Sequence, residues 1–158
     1  MSLWYSAGIG LLGGIMATVL MTMIETPLWK RWGLHGVFEW HENQVITMRV
    51  FHLSDKSKIH FKGIFFFHFL NGALAGIAFP FIASPFTIVF HYMIPLGGIY
   101  GIILWILTLG PIHKPITGFS PWNHPLGSLP TLASLGGHVL YGIVLGIVVS
   151  SLMGQNVV

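Results

Sequence analysis

Two histidines at matching places in a repeated segment are the residues of this chain best suited to chemistry. His68 opens the run HFLNGALAGI and His138 opens HVLYGIVLGI, which share five identities at a constant offset of 70 residues. Histidine is scarce in membrane spans, so the match favours an internal duplication. Two imidazoles at equal depth in related halves have the chemistry to bind a metal ion or haem iron between them. The alternative is a pair of hydrogen-bonded packing residues, which need no cofactor.

A second set of candidate metal ligands lies closer to the N-terminus. His35, Glu39 and Glu42 are spaced four and three residues apart, so a helix would place them on one side. Carboxylates together with an imidazole suit a divalent metal ion or general acid and base catalysis. The alternative is that they form the polar face that a helix at the membrane surface presents to water.

Other catalytic chemistry has little support in the sequence. The absence of cysteine excludes disulfides, thiolate nucleophiles and Cys-ligated zinc. No Walker-type phosphate loop, G-x-S-x-G or H-E-x-x-H motif occurs. Glu25, at the end of the first apolar segment, is expected to pair with Lys30 or Arg31. Because no carboxylate falls inside a predicted span, proton or cation transport through a buried acid is not expected.

The elements that position these residues are membrane helices. Of the 158 residues 54% are apolar and 7% charged, whereas soluble domains have roughly one quarter charged residues. Four apolar segments are long enough to cross a bilayer, at about 3–24, 61–82, 86–109 and 132–153. The sequence therefore predicts an all-α integral membrane four-helix bundle, with one transmembrane domain over residues 1–158. Pro80, Ser84 and Pro85 predict a tight turn after the second span, and Pro95 predicts a kink in the third.

The basic residues predict how the bundle is oriented. Five of the seven lie between the first two spans, Lys62 lies at the entrance of the second, and Lys114 lies between the last two. By the positive-inside rule, connections 25–60 and 110–131 are cytoplasmic and both termini lie outside a multi-pass protein of the cell membrane. The net charge of +3 is then explained by orientation, and nucleic acid is not an expected partner.

A fainter match extends the duplication to the first and third spans. Gly13-Gly14-Ile15 corresponds to Gly97-Gly98-Ile99 at an offset of 84 residues. The chain is therefore predicted to contain one helical hairpin twice, in halves at about 1–82 and 86–158. Both copies run in the same direction, so a pseudo-twofold axis along the membrane normal is expected. The first copy has about 14 extra residues between its helices, which roughly match segment 37–53.

Segment 37–53 has the pattern of an amphipathic helix lying in the membrane interface. Its apolar positions are Phe38, Val45, Met48 and Phe51, and the opposite positions are Glu39, Glu42 and Arg49. Together with the proline-rich second connection, this helix is expected to form a cap on the inner side that contacts larger subunits.

Two pairs of glycines are predicted to be helix-packing residues. Gly72 with Gly76, and Gly142 with Gly146, form G-x-x-x-G pairs, which let membrane helices approach closely. Helices drawn together in this way leave little room for a porphyrin, which counts against haem between the two repeated histidines. The alternative role for these glycines is to cradle a cofactor.

The runs Gly13-Gly14-Ile15-Met16-Ala17-Thr18 and Met21-Thr22, with the segment from His138 to Gly146, resemble small four-span prokaryotic and archaeal membrane proteins of unknown function. More loosely, the chain resembles the small accessory subunits of archaeal ammonia monooxygenase. This resemblance implies a non-catalytic accessory subunit that binds other membrane subunits in the lipid bilayer and carries no cofactor. The alternative function is a small redox protein that binds a metal or haem through His68 and His138.

Overall fold

The protein is an all-α bundle in which four helices are long and apolar enough to cross a membrane. The computed structural model describes residues 2–55, 57–86 and 92–154. The helices are α1 (Leu3–Trp32), α2 (Phe38–Val50), α3 (Phe61–Ala83), α4 (Met93–Thr108), α5 (Lys114–Thr117) and α6 (Leu129–Gly154), and a π-helical turn at Leu109–His113 joins α4 to α5. The membrane-length helices are α1, α3, the continuous Met93–Thr117 and α6. The predicted four-helix membrane bundle is confirmed.

Two helix boundaries differ from the prediction because of local packing and proline position. Helix α1 continues eight residues past position 24, where Leu28 and Trp29 pack against Trp40 of α2. Helix α4 begins at Met93, and residues 87–91 of the predicted third span lie outside the described residues. The predicted kink at Pro95 is wrong, because this residue lies in the first turn of α4, where no intrahelical hydrogen bond is lost. The helix departs from α geometry at the π turn that contains Pro111 instead.

Glycines bring the two helices of each hairpin into backbone contact. In the first hairpin, a side chain on Gly14 would overlap the carbonyl oxygen of Gly72 and would lie 2.9 Å from the Cα of Gly76. In the second, a side chain on Gly97 would overlap the carbonyl oxygen of Gly142 and would lie 3.2 Å from the Cα of Gly146. The four predicted packing glycines thus lie at helix crossings. The two crossings match each other if Gly14 corresponds to Gly97. The sequence alignment paired Gly13 with Gly97, so the structural correspondence differs from it by one residue.

The two hairpins do not pack symmetrically against each other. Helices α1 and α6 pack along much of their length, whereas α3 and α4, which would be their counterparts under a pseudo-twofold axis, have few contacts. Phe79 of α3 contacts Tyr100 of α4 with ring centroids 5.2 Å apart, and the Tyr100 hydroxyl donates a hydrogen bond to the Ala75 carbonyl at 2.8 Å. Between these contacts and α2, residues of both α3 and α4 line one cavity, and the space between the two helices there is called the cleft.

Helix α2 is packed into the bundle rather than laid on its surface. Phe38 and Trp40 are each 1% exposed, while Phe51, assigned to the membrane-facing side, is exposed. Glu39 and Glu42 point towards α6 and the π turn, because histidines there provide partners for their carboxyl groups. The prediction of a helix at segment 37–53 is confirmed by α2. The expected exposure of its polar face is wrong for Glu39 and Glu42, whereas Arg49 is exposed. The second hairpin has no counterpart of α2 among the described residues: the position in its connection that corresponds to α2 has the short 3₁₀ turn Pro121–Asn123.

Candidate functional site

Three glutamate–histidine pairs meet at one end of the bundle. Their ring nitrogens and carboxyl oxygens are 3.2 Å apart for His68 with Glu25, 2.7 Å for His113 with Glu42 and 3.3 Å for His138 with Glu39. The histidines lie in the early part of α3, in the π turn and in the early part of α6. Glu25 lies in the later part of α1, and Glu39 and Glu42 lie in α2. This end is formed by the two longer connections, where the basic residues also lie.

Glu25 is a buried acid inside the first membrane helix. It is 4% exposed, and its Oε2 accepts a hydrogen bond of 2.8 Å from the indole N–H of Trp40. The expected pairing with Lys30 or Arg31 is wrong, because Glu25 continues the buried face of α1 and Lys30 and Arg31 are exposed. The predicted first span ends at residue 24, just before Glu25, whereas the helix that carries Glu25 continues to Trp32.

Helix α2 supplies the carboxyl groups for the other two histidines. Glu39 accepts a hydrogen bond from the Ser134 hydroxyl of α6 beside His138. Burial raises the pKa of Glu39, and the nearby Glu25 raises it further. Burial also raises the pKa of Glu42, against the opposing effect of its hydrogen bond with His113. Both shifts favour the neutral carboxylic acid, which can donate a hydrogen bond to a ligand.

His35 does not belong to this group. It lies in the turn Leu34–Gly36 before α2, so the predicted helical face of His35, Glu39 and Glu42 is wrong. Its ring instead contacts those of His41, at a centroid distance of 4.5 Å, and Phe119, at 5.3 Å. Glu39 and Glu42 share one cavity but pair with different histidines.

Four of the paired side chains line a cavity of about 110 Å³ between the helices, namely Glu39, Glu42, His68 and His138. It has both repeated histidines in its wall, and residues of α1, α2, α3, α4 and α6 also contribute. The lining residues are Thr18, Met21, Glu39, Glu42, Asn43, His68, Asn71, Gly72, Ala75, Leu104, Thr108, Leu109, His138 and Tyr141. Such a volume admits several water molecules or a small polar group.

The cavity reaches the outer surface of the bundle at Asn71. This side chain is exposed, and Leu70 and Leu74 beside it on α3 are also exposed. At 1.5 Å per residue, Asn71 lies roughly 15 Å from the start of α3, near the middle of a membrane span. Among the described residues its amide has no hydrogen-bond partner, which is costly for a polar group facing lipid.

The site fits a metal ion or haem poorly. No group of three or more histidine, aspartate or glutamate side chains within residues 2–55, 57–86 and 92–154 is arranged to hold a metal ion. His68 and His138 line the same cavity, but each has its own carboxyl partner. A cavity of 110 Å³ is smaller than the roughly 300–1,000 Å³ of ordinary small-molecule sites, so a porphyrin does not fit between these rings.

Three participants were missed in the sequence. Asn71 could have been recognised as a candidate, because it is a polar residue within the predicted second span. Trp40 was not among the candidate residues, although it is buried against Glu25. His113 gave no signal, because its partner Glu42 is 71 residues away in the chain.

Comparison with protein-family models, curated proteins and solved structures gives no match to this chain.

Proposed function

We propose that the protein binds the polar head of a small membrane-soluble molecule in the cleft between α3 and α4, and that the cavity exchanges protons with this head. The observation that carries the proposal is the position of the cavity: ionisable side chains line it, and its exposed lining residue Asn71 lies near the middle of the apolar helix α3. Intramembrane ionisable residues in proteins commonly serve proton relays or ligand binding.

The dimensions of the site suit an amphipathic ligand. A volume of about 110 Å³ admits a small head group but not a large ring system. The apolar remainder of the ligand would lie between Ala75 of α3 and Leu104 of α4, which are half-buried along the cleft. A ligand that enters sideways from the bilayer does not have to cross the cap formed by α2.

The chemistry of the lining suits a head with carbonyl or hydroxyl groups, such as that of a quinone. A neutral Glu39 carboxyl group can donate a hydrogen bond to a carbonyl oxygen, and its carboxylate can accept one from a hydroxyl group. The Nδ1–H of His138 donates a hydrogen bond to the Ser134 carbonyl oxygen at 3.0 Å, so the neutral ring has its Nε2 left as an acceptor. Asn71 at the opening offers both an N–H donor and a carbonyl acceptor.

The test is to identify what the protein carries from its native membrane. Protein purified in mild detergent would be extracted with organic solvent, and the extract analysed by mass spectrometry. We expect a near-stoichiometric membrane-soluble molecule with a small polar head. In Asn71→Leu its amount should fall roughly tenfold, because one hydrogen bond to a buried polar group is lost.

Leu74→Ala is the matched control, since Leu74 lies one turn away on the exposed face of α3 but does not line the cavity. This variant should keep the molecule. An extract that contains only bulk lipid, with the same composition in wild type and Asn71→Leu, would refute ligand binding in the cleft.

We further propose that the protein is an accessory subunit of a larger membrane complex. An apolar surface on the second connection and the first turn of α6 supports this: Trp122, Leu126, Leu129 and Leu132 are each more than 40% exposed. They lie at the same end as α2 and most of the basic residues, which we place on the cytoplasmic side of the cell membrane by the positive-inside rule. Exposed apolar patches of this kind often mark contacts with another subunit.

Native gels of gently solubilised membranes test this second proposal. The wild-type protein should migrate with other polypeptides, and Trp122→Ser combined with Leu126→Ser should release it. Trp4→Ser is the control, because Trp4 is exposed at the opposite end of the bundle. A wild-type species no larger than a monomer or homodimer of this chain, without another polypeptide, would contradict the accessory role.

A further inference from the structure

We propose that His35, His41 and His113 form a relay that carries protons between the protein surface beside α2 and the Glu42 carboxyl group in the cavity. The inference deepens the proposed function, because a cavity that exchanges protons with its ligand needs a route by which protons are replaced. The geometry of the relay itself does not depend on the identity of that ligand.

The three rings follow one another from the surface inwards. His35 is exposed, and its ring centroid is 4.5 Å from that of His41. The centroid of His41 is 6.0 Å from that of His113, which is fully buried. The Nδ1 of His113 is 2.7 Å from the Oε1 of Glu42, and Glu42 lines the cavity.

Two nitrogens along this path are available for hydrogen bonding. Nδ1 of His41 and Nε2 of His113 are buried and have no hydrogen-bond partner among the described residues. A buried imidazole nitrogen without a partner is uncommon, and each such group requires an explanation. A route for protons provides one, since an unpartnered nitrogen on each of these two rings is open to accept or release a proton.

Each step of the relay moves one proton. Once all steps are complete, the three imidazoles are neutral again. A proton from bulk water joins the free ring nitrogen of His35, and the ring's other nitrogen releases one towards His41. His41 passes a proton to His113 in the same way, and Nδ1 of His113 delivers one to the Glu42 carboxylate. The imidazoles return to their first tautomers before the next transfer.

The surroundings keep the middle of the relay uncharged at rest. Burial lowers the pKa of His41 to about 3, with smaller contributions from the nearby His35, His113 and His124. Arg49 and Lys58, which line the open groove beside His35 and His41, also oppose a resting positive charge there. Since pH 7 lies far above this pKa, His41 is neutral and has one nitrogen free to accept a proton.

The experiment follows the arrival of protons at Glu42 in the full chain reconstituted in lipid nanodiscs. After a rapid pH change, time-resolved infrared spectroscopy would record the carboxyl band that disappears in Glu42→Gln. In His41→Leu the band should respond roughly 100-fold more slowly, the lower end of what a positioned proton-transfer group contributes. His52→Leu is the control, because His52 is exposed and outside the ring contacts described above.

Two further measurements separate proton transfer from packing. His35→Ala changes an exposed residue, so it should fold normally and still slow the band. In His41→Ala, added imidazole should restore much of the rate, which a structural role alone does not predict. Wild-type rates in both His35→Ala and His41→Leu, or no effect of imidazole, would overturn the relay. Retention of the membrane-soluble molecule by these variants would show that the cleft still binds its ligand.

Discussion

Replacing Glu25 with alanine is expected to lower the free energy of unfolding by about 2–6 kcal/mol, because two buried polar groups each lose a partner at a cost of about 1–3 kcal/mol. The carboxyl group holds the Trp40 indole N–H at 2.8 Å and lies 3.2 Å from Nε2 of His68. Both groups would remain buried without this partner, and α2 would lose its polar attachment to α1. Unfolding of the purified protein in mixed detergent micelles, followed by circular dichroism, measures the effect.

Glu25→Gln distinguishes the charge from the hydrogen bond. Its amide oxygen can still accept from Trp40, so the loss should be about 1–3 kcal/mol, less than for alanine. Lys30→Ala is the control on the same helix, because Lys30 is exposed and should change stability little. If Lys30→Ala were as destabilising as Glu25→Ala, Glu25 would be paired with Lys30, as the sequence predicts. The buried contacts of Glu25 with Trp40 and His68 would then be refuted.

Gly142→Ala is expected to destabilise the bundle by about 2 kcal/mol or more, and much more than Gly72→Ala. A Cβ on Gly142 would overlap the carbonyl oxygen of Gly97 and would lie 2.9 Å from the backbone nitrogen of Gly101, so α4 and α6 would have to separate. A Cβ on Gly72 meets the Oγ1 of Thr18, a side chain that can rotate at the cost of its hydrogen bond to Gly14. The equal losses that an exact repeat implies are therefore not expected.

Thermal unfolding of three alanine variants tests this asymmetry. Gly136→Ala, on the same helix as Gly142, places its Cβ in open space and should be neutral or stabilising by about 0.5–1 kcal/mol. The loss in Gly72→Ala should shrink when Thr18→Ala is added. Equal stability of Gly142→Ala and Gly136→Ala would mean that the helices of the second hairpin are not in backbone contact.

The membrane helices and the residues at their crossings follow from local patterns. Long apolar runs leave no other fold for the four spans, and glycines four residues apart mark faces where backbones approach. Gly72 and Gly142 could therefore be assigned from spacing alone. The asymmetric contact between hairpins could not, because helices that are apolar on all sides do not show which faces meet protein and which meet lipid.

The site could be predicted only in part, because its pairs are distant in sequence. The polar stripe of α2 has the same pattern whether it faces water or buried histidines. Glu39 meets Ser134 and Glu42 meets His113, which lie 95 and 71 residues further along the chain. His68 and His138 were found because the repeat made them visible. Nothing in the local sequence indicated that their partners would be Glu25 of α1 and Glu39 of α2.

The long sequence distance between these partners has a consequence for biosynthesis. Helix α2 leaves the ribosome before His113 and Ser134 exist, so its acidic groups have no protein partners while the first hairpin inserts. Unpartnered carboxyl groups favour water over the interior of the bilayer. The nascent α2 should therefore wait at the aqueous boundary until the second hairpin has been inserted. Closure of this helix over the histidines then follows insertion of the second hairpin, and the cavity is complete only after that closure.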